Sequence, residues 1–140
     1  MLSLNVSDMR YANNPANIRW SSKNAWKGLK GNNNGFCEFY DITYGLRALC
    51  LLLKRYIRSY GLNDVESIIS RFAPPSENNT CNYIYYVREF LRARSCNLSD
   101  IKFGTKSFCV LVCAICWYET NFPLTRERVE NIINMFKLDK

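Results

Sequence analysis

Glu119 is the residue whose setting best suits acid chemistry. It closes the most apolar segment of the chain, directly after Cys116-Trp117-Tyr118. A helix C-terminus carries partial negative charge, and apolar neighbours penalise an ionised carboxyl. Both raise its pKa, which is what a general acid needs near neutral pH. The plain alternative is a solvated Glu at a helix end. Glu77 lies in Pro74-Pro75-Ser76-Glu77-Asn78-Asn79-Thr80. Held in a Pro-anchored loop, it can serve as a second carboxylate or position a sugar; otherwise it caps the next helix or pairs with Arg47 or Arg19. Glu38 and Asp41 are reserve carboxylates. Glycoside cleavage needs one acid and a second group, and carboxyl separation decides retention or inversion.

Asn13-Asn14-Pro15-Ala16-Asn17-Ile18-Arg19 is turn chemistry, because Asn tolerates unusual backbone angles and Pro fixes one. Asn13, Asn14 and Asn17 also offer amides to sugar hydroxyls and acetamido groups, while Trp20, Trp26 and Tyr44 offer stacking faces. Arg19 and Arg47 are candidates for an anionic substituent such as a lactyl-peptide carboxylate, although an ion pair explains Arg47 as well. The chain has no histidine, which excludes His-based triads and His-ligated metals. Its seven cysteines, an odd number, read as reduced thiols. Cys109, Cys113 and Cys116 share one helical face. Cys113-Ala114-Ile115-Cys116 has redox or metal-site spacing, but without a second such pair it reads as buried packing. No cofactor or metal is expected.

The ordered set Asn13–Arg19, Trp26-Lys27-Gly28, Phe36-Cys37-Glu38-Phe39, Gly45-Leu46-Arg47-Ala48 and Ala73–Thr80 resembles a phage-related family. That family is often labelled only as virion structural proteins and also occurs in bacterial genomes. Its hallmark runs Asn-Asn-Pro-Gly-Asn-Ile-Arg, Trp-x-Gly, Phe-x-x-Phe, Gly-x-Arg-Ala, Trp-Ala-Pro-Pro-Ser-Glu-Asn-Asp-Thr. The resemblance covers about residues 13 to 125, with departures at Ala16, Phe72 and Asn79. Related sequences look similar at Glu119, with a Glu-Asn-Gly ending. The resemblance implies a fold more firmly than a reaction.

Asn13–Arg19 is also similar to the Asn-Asn-x-Phe-Gly-Ile-Lys segment of cell-wall glucosaminidases of the lysozyme superfamily. There the segment follows the catalytic helix and leads into a β-hairpin. Here the Glu-ended helix comes later in the chain, an order that fits a circularly permuted lysozyme-like fold. These resemblances imply a peptidoglycan-cleaving hydrolase or lytic transglycosylase of phage or secreted-toxin type. A non-catalytic virion or envelope-binding protein is the alternative. The implied partners are bacterial peptidoglycan and a virion, secretion-machinery or immunity protein.

At 140 residues and net charge +7, the chain is expected to form one domain over residues 13–140, with a loose arm over 1–12 and a preference for polyanions. Lys54, Arg55 and Arg58 share one helix; Arg88, Arg92 and Arg94 share another with Tyr83, Tyr85 and Tyr86. No recognised nucleic-acid motif accompanies them, so specific nucleic-acid binding is disfavoured. No apolar run approaches the roughly 20 residues that span a bilayer. Met1 to Arg10 lacks the basic start and apolar core of a secretory signal. The expectation is therefore synthesis in the cytoplasm with reduced cysteines. Action at the envelope or in a virion would follow delivery by lysis, virion injection or a secretion apparatus.

The elements that must position these residues follow from periodicity and caps. Residues 13–40 suit short strands, with 30–35 as the turn and Phe36–Phe39 as the second hairpin arm. Helices are expected over 43–60 (ended by Gly61), from an N-cap at Asn63 with Glu66 three residues on to about 71, over 80–93, 106–118 and 126 to about 138. Residues Val65, Ile68, Ile69 and Phe72, then Tyr83, Ile84, Val87 and Leu91, then Val129, Ile132, Ile133 and Phe136 should face inward. The class is α+β, mainly helical: about five helices around the apolar one at 106–118, plus a small N-terminal hairpin.

Overall fold

The computed structural model describes residues 12–140. The arm expected over residues 1–12 thus falls, apart from Ala12, outside the described residues. The fold is mainly helical, with a two-stranded antiparallel hairpin ahead of five helices. The hairpin pairs β1 (Leu29–Asn33) with β2 (Phe36–Phe39). The helices are α1 (Ile42–Tyr60), α2 (Val65–Phe72), α3 (Thr80–Ala93), α4 (Lys106–Thr120) and α5 (Arg126–Met135).

Each helix starts where a short polar side chain replaces a missing intrahelical partner. Asp41, Asp64, Asn79, Thr105 and Thr125 accept from the backbone N–H of Thr43, Ser67, Asn82, Phe108 and Arg128. Gly61 and Asn121 close α1 and α4 in the left-handed conformation. α4 is the apolar hub. Every residue from Ser107 to Cys116 is buried, and the helix packs between α3 and α5. α1 lays Leu46, Leu49, Leu53 and Tyr56 on the same core and carries β2 on its N-terminal half. In β2, Cys37 and Phe39 point inward while Phe36 and Glu38 face out, the period of two expected of a half-buried strand.

The structure moves several expected boundaries. The hairpin turn is only Asn34-Gly35, both at positive φ, so Lys30 to Asn33 belong to β1. The cap of α2 is Asp64 rather than Asn63, because it is the Asp64 carboxylate that reaches the Ser67 N–H at 2.7 Å. Glu66 is exposed and closes no capping box. α4 continues to Thr120, which puts Glu119 inside its last turn. α5 ends at Met135, and Leu138 is buried beyond it. Phe72, Ile84 and Phe136 are half-buried at the rim of the core.

Two glycines of the motifs are there for clearance. A Cβ on Gly45, in the first turn of α1, would overlap the backbone carbonyl oxygen of Asn13. A Cβ on Gly28, at φ +75°, would overlap the Tyr44 ring. The first pins the Asn segment to α1, and the second pins the approach to the hairpin. Gly45→Ala should therefore cost about 1–3 kcal/mol, the range for forced overpacking. Gly31→Ala, with open space around its Cβ, should stay within about 0.5 kcal/mol. Urea unfolding of both variants checks this, and equal stabilities would contradict it.

Candidate functional site

The Asn segment is built as a backbone clasp. Asn14 is 2% exposed. Its amide donates to the carbonyls of Ile18 (3.0 Å) and Cys37 (2.9 Å), and its oxygen accepts from the Ile18 N–H (3.0 Å). Asn13 and Asn17 stand at φ 53° and 52°, the left-handed region that Asn adopts more readily than most residues. Asn13 donates to the Phe39 carbonyl at 3.0 Å. After the turn, Cys37 N–H bonds Ile18 O and Trp20 N–H bonds Gly35 O, so Ile18 to Trp20 runs alongside β2.

The same turn docks on the end of α4. Thr120 Oγ1 donates to the Pro15 carbonyl at 2.7 Å, and Asn17 Nδ2 donates to Glu119 Oε1 at 3.1 Å. On the other side, the Pro74-Pro75 loop is tied down by Thr80 Oγ1 donating to Ala73 O (2.6 Å) and Asn78 Nδ2 donating to Pro74 O (3.2 Å). Arg19 spans the two walls. Its guanidinium lies over the Phe36 ring, 5.0 Å from the centroid, and pairs with Glu77 at 2.9 Å. Both partners of that pair are about half exposed, so it contributes little stability and serves mainly to set position.

Between these walls lies a cleft of about 340 Å³. Asn17, Arg19, Asn24 and Phe36 line one side, Tyr56 of α1 and Arg71 and Phe72 of α2 another, with Glu77, Asn78 and Glu119 completing it. Four of the residues singled out from sequence thus meet in one place: Glu119, Glu77, Asn17 and Arg19. Asn13, Asn14, Trp26, Tyr44 and Arg47 do not line it. The two asparagines spend their amides on backbone carbonyls. Trp26 lies beneath the Arg55 guanidinium (5.5 Å). Tyr44 packs on Phe136 (6.1 Å), and Arg47 lies over the same ring (5.4 Å). Arg47 is in the second turn of α1, and among the described residues it has no ion-pair partner. The reserve carboxylates are also occupied: Glu38 pairs with Lys30 at 3.5 Å, and Asp41 caps α1, where its hydrogen bonds to Thr43 lower its pKa.

Burial raises the pKa of Glu119, opposed by the nearby Tyr83 hydroxyl, by the hydrogen bond from Asn17 and by the charge of Arg19. Of the two causes read from the sequence, apolar surroundings and the helix terminus, the first leads. Tyr83 is 1% exposed and stacked on Tyr118 at 3.8 Å between ring centroids. Its hydroxyl lies near enough to act on the Glu119 carboxyl, yet its placement falls short of a well-formed hydrogen bond with any described group. The thiols carry no comparable chemistry. All seven are unpaired, and no group of His, Cys, Asp and Glu among the described residues can hold a metal ion. Burial pushes Cys109 up to about 11 and Cys113 to about 12, and it holds Cys116 well above the ordinary thiol range, so they are protonated packing groups.

Sequence reasoning missed Asn24, Tyr56 and Arg71 as cleft residues. Tyr56 read only as part of the apolar stripe of α1, and neither Asn24 nor Arg71 lies in a motif that marks it. The basic helices are largely occupied locally. Arg55 donates to Asn24 Oδ1 at 3.2 Å, Lys54 to backbone carbonyls at Leu138 and Lys140, Arg92 pairs with Glu89, and Arg94 lies 3.6 Å over Phe90. Of the three tyrosines on α3, Tyr83 is buried and offers no face for stacking a base. Tyr85, Tyr86, Phe90 and Tyr118 line a separate open groove. No helix among the described residues is long and apolar enough to cross a membrane.

Fold and site together define a mainly helical protein with an N-terminal hairpin and a cleft that holds a buried carboxyl beside an asparagine turn. Comparison with known proteins relates it to phage. It is 40% identical over 79 residues to protein P5 of Pseudoalteromonas phage PM2, covering 54% of this chain and 49% of P5. The chain thus spans about half the length of the curated relative it matches. No family model matches it.

The raised pKa of Glu119 has a sign that can be checked. The folded protein holds that proton more tightly than the unfolded chain, so stability is lost as pH rises from the ordinary carboxylate range through the folded pKa. Glu119→Gln should therefore gain stability relative to wild type across that window, measured by urea unfolding at stepped pH. A stability difference that stays constant with pH would contradict it.

Proposed function

We propose that this chain is a lysozyme-like domain, spanning residues 13–140, that cleaves the glycan strand of peptidoglycan as a hydrolase or lytic transglycosylase. The observation that carries the reading is Glu119, a carboxyl with a raised pKa that lines a cleft while Asn17 holds one of its oxygens. Glu119 gives its proton to the glycosidic oxygen as the bond from that oxygen to the anomeric carbon breaks. The electron pair leaves with the departing sugar. Water, or a hydroxyl of the same glycan, then adds to the anomeric carbon and gives its proton to the Glu119 carboxylate, which restores the acid. Glu77, held by Arg19, is the second carboxylate. Asn17 and Asn78 each commit one amide N–H within the protein, and Asn24 its oxygen; their remaining donors and acceptors, along the cleft, bind hydroxyl and acetamido groups. Asn13, Asn14, Trp26, Tyr44 and Arg47 support the walls.

The side-by-side placement of the Asn turn and the Glu-ended helix supports a permuted lysozyme-like arrangement, in which the order of the segments differs while their contact is kept. The net charge of +7 favours an anionic wall polymer, and the likeness to a phage protein supports a phage or secreted-toxin setting. Delivery by a virion, by lysis or by a secretion apparatus, and control by an immunity protein, fit that setting. One observation favours the second reading, a non-catalytic virion or envelope-binding protein: the second carboxylate, Glu77, is already engaged by Arg19.

Turbidity loss of purified sacculi, with the soluble fragments identified by mass, separates the two. Wild type should release glycan fragments, and Glu119→Gln should lose on the order of a hundredfold or more in rate while keeping its fold. Undiminished cleavage by the variant would remove Glu119 from its role. Absence of fragments from wild type would favour the binding protein.

A further inference from the structure

We propose that Arg71 is the anion anchor of the cleft and that it selects saccharides bearing a carboxylate substituent over their neutral counterparts. The inference rests on the glycan-cleaving reading and names the substrate feature that the cleft recognises. Charge accounting leads to it. The cleft is lined by two carboxyls, Glu77 and Glu119, and two guanidiniums, Arg19 and Arg71. Arg19 and Glu77 neutralise each other at 2.9 Å. Glu119 is desolvated, which favours its neutral form. Arg71 is left uncompensated: it makes no ion pair and no side-chain hydrogen bond with any described residue.

The side chain is nevertheless held in place. Its guanidinium lies 4.1 Å from the Tyr60 ring centroid and 5.5 Å from that of Tyr56, itself a wall of the cleft. Contact with ring faces uses none of the guanidinium's N–H donors, which leaves them available to a carboxylate. Arg19, the cation already acting on the Glu119 carboxyl, is committed to Glu77. Arg71 is therefore the cleft's available partner for an acidic group on the substrate. The amides of Asn17, Asn24 and Asn78 supply polar partners suited to an N-acylated amino sugar.

The test uses two tetrasaccharides of N-acetylated amino sugars with identical glycosidic bonds. One carries free carboxylates on ether side chains, and the other has them capped as methyl amides. Wild type should show a higher kcat/KM for the acid, by on the order of tenfold, the worth of one charge-assisted hydrogen-bonding contact. Arg71→Ala should abolish that preference by slowing the acid on the order of tenfold more than the capped substrate. Arg71→Lys should keep part of the preference through its charge, and added salt should shrink that part. A preference unchanged in Arg71→Ala, an equal loss on both substrates, or no preference in wild type would overturn the anchor while leaving the hydrolase reading intact. Cleavage of neither saccharide by wild type would overturn both.

Discussion

Two hydrogen bonds set the architecture of the site: Thr120 to the Pro15 carbonyl and Asn17 to Glu119. They join residues more than a hundred positions apart and tie the N-terminal turn to the last turn of the most buried helix. The hairpin has only two strands, and a hairpin alone is marginal in water. Its place comes from what it leans on: Asn14 grips the Cys37 carbonyl, Phe39 and Cys37 enter the core, and the Asn13 carbonyl lies against Gly45. Release of the turn from α4 would free one wall of the cleft and expose the carboxyl that the wall covers.

The same contact places Glu119 between opposing forces. Burial disfavours its anion, while the Asn17 amide and the Arg19 charge favour it. A carboxyl balanced in this way is suited to hold a proton and then give it up, because its ionised form already has a donor waiting. Tyr83 adds a buried hydroxyl close enough to the same carboxyl to favour its anion as well. The neighbouring Cys116 thiol shows burial without such partners, and it simply remains protonated.

Much of this was legible in the sequence because it rests on local rules. The stripe of α1, the all-round apolarity of α4, Gly61 and the Thr125 cap each declare themselves within one or two helical turns. The positive-φ asparagines follow from the turn chemistry of Asn-Asn-Pro. The roles of Asn13, Asn14, Trp26, Tyr44 and Arg47 were harder to read, because an amide or ring that could meet a sugar can equally well meet a backbone carbonyl or another ring. Only tertiary placement decides between them, and here it gave Asn14 to the backbone and the Tyr44 ring to Phe136. Arg71 was invisible for the opposite reason. Nothing marks one arginine at a helix end until the neutralisation of its neighbours is known. The Asn63 cap failed because two adjacent cap-forming residues compete, and the one whose carboxylate reached Ser67 prevailed.

The most direct test of the account is a carbon-detected NMR titration of the Glu119 side-chain carboxyl, in wild type and in Asn17→Gly, a change that keeps the left-handed backbone accessible while removing the donor. The account predicts a wild-type pKa above the ordinary glutamate value of about 4.3, and a higher one in Asn17→Gly. An ordinary pKa in wild type, or one indifferent to Asn17, would contradict the claim that the docked asparagine turn prepares Glu119 as the acid of the cleft.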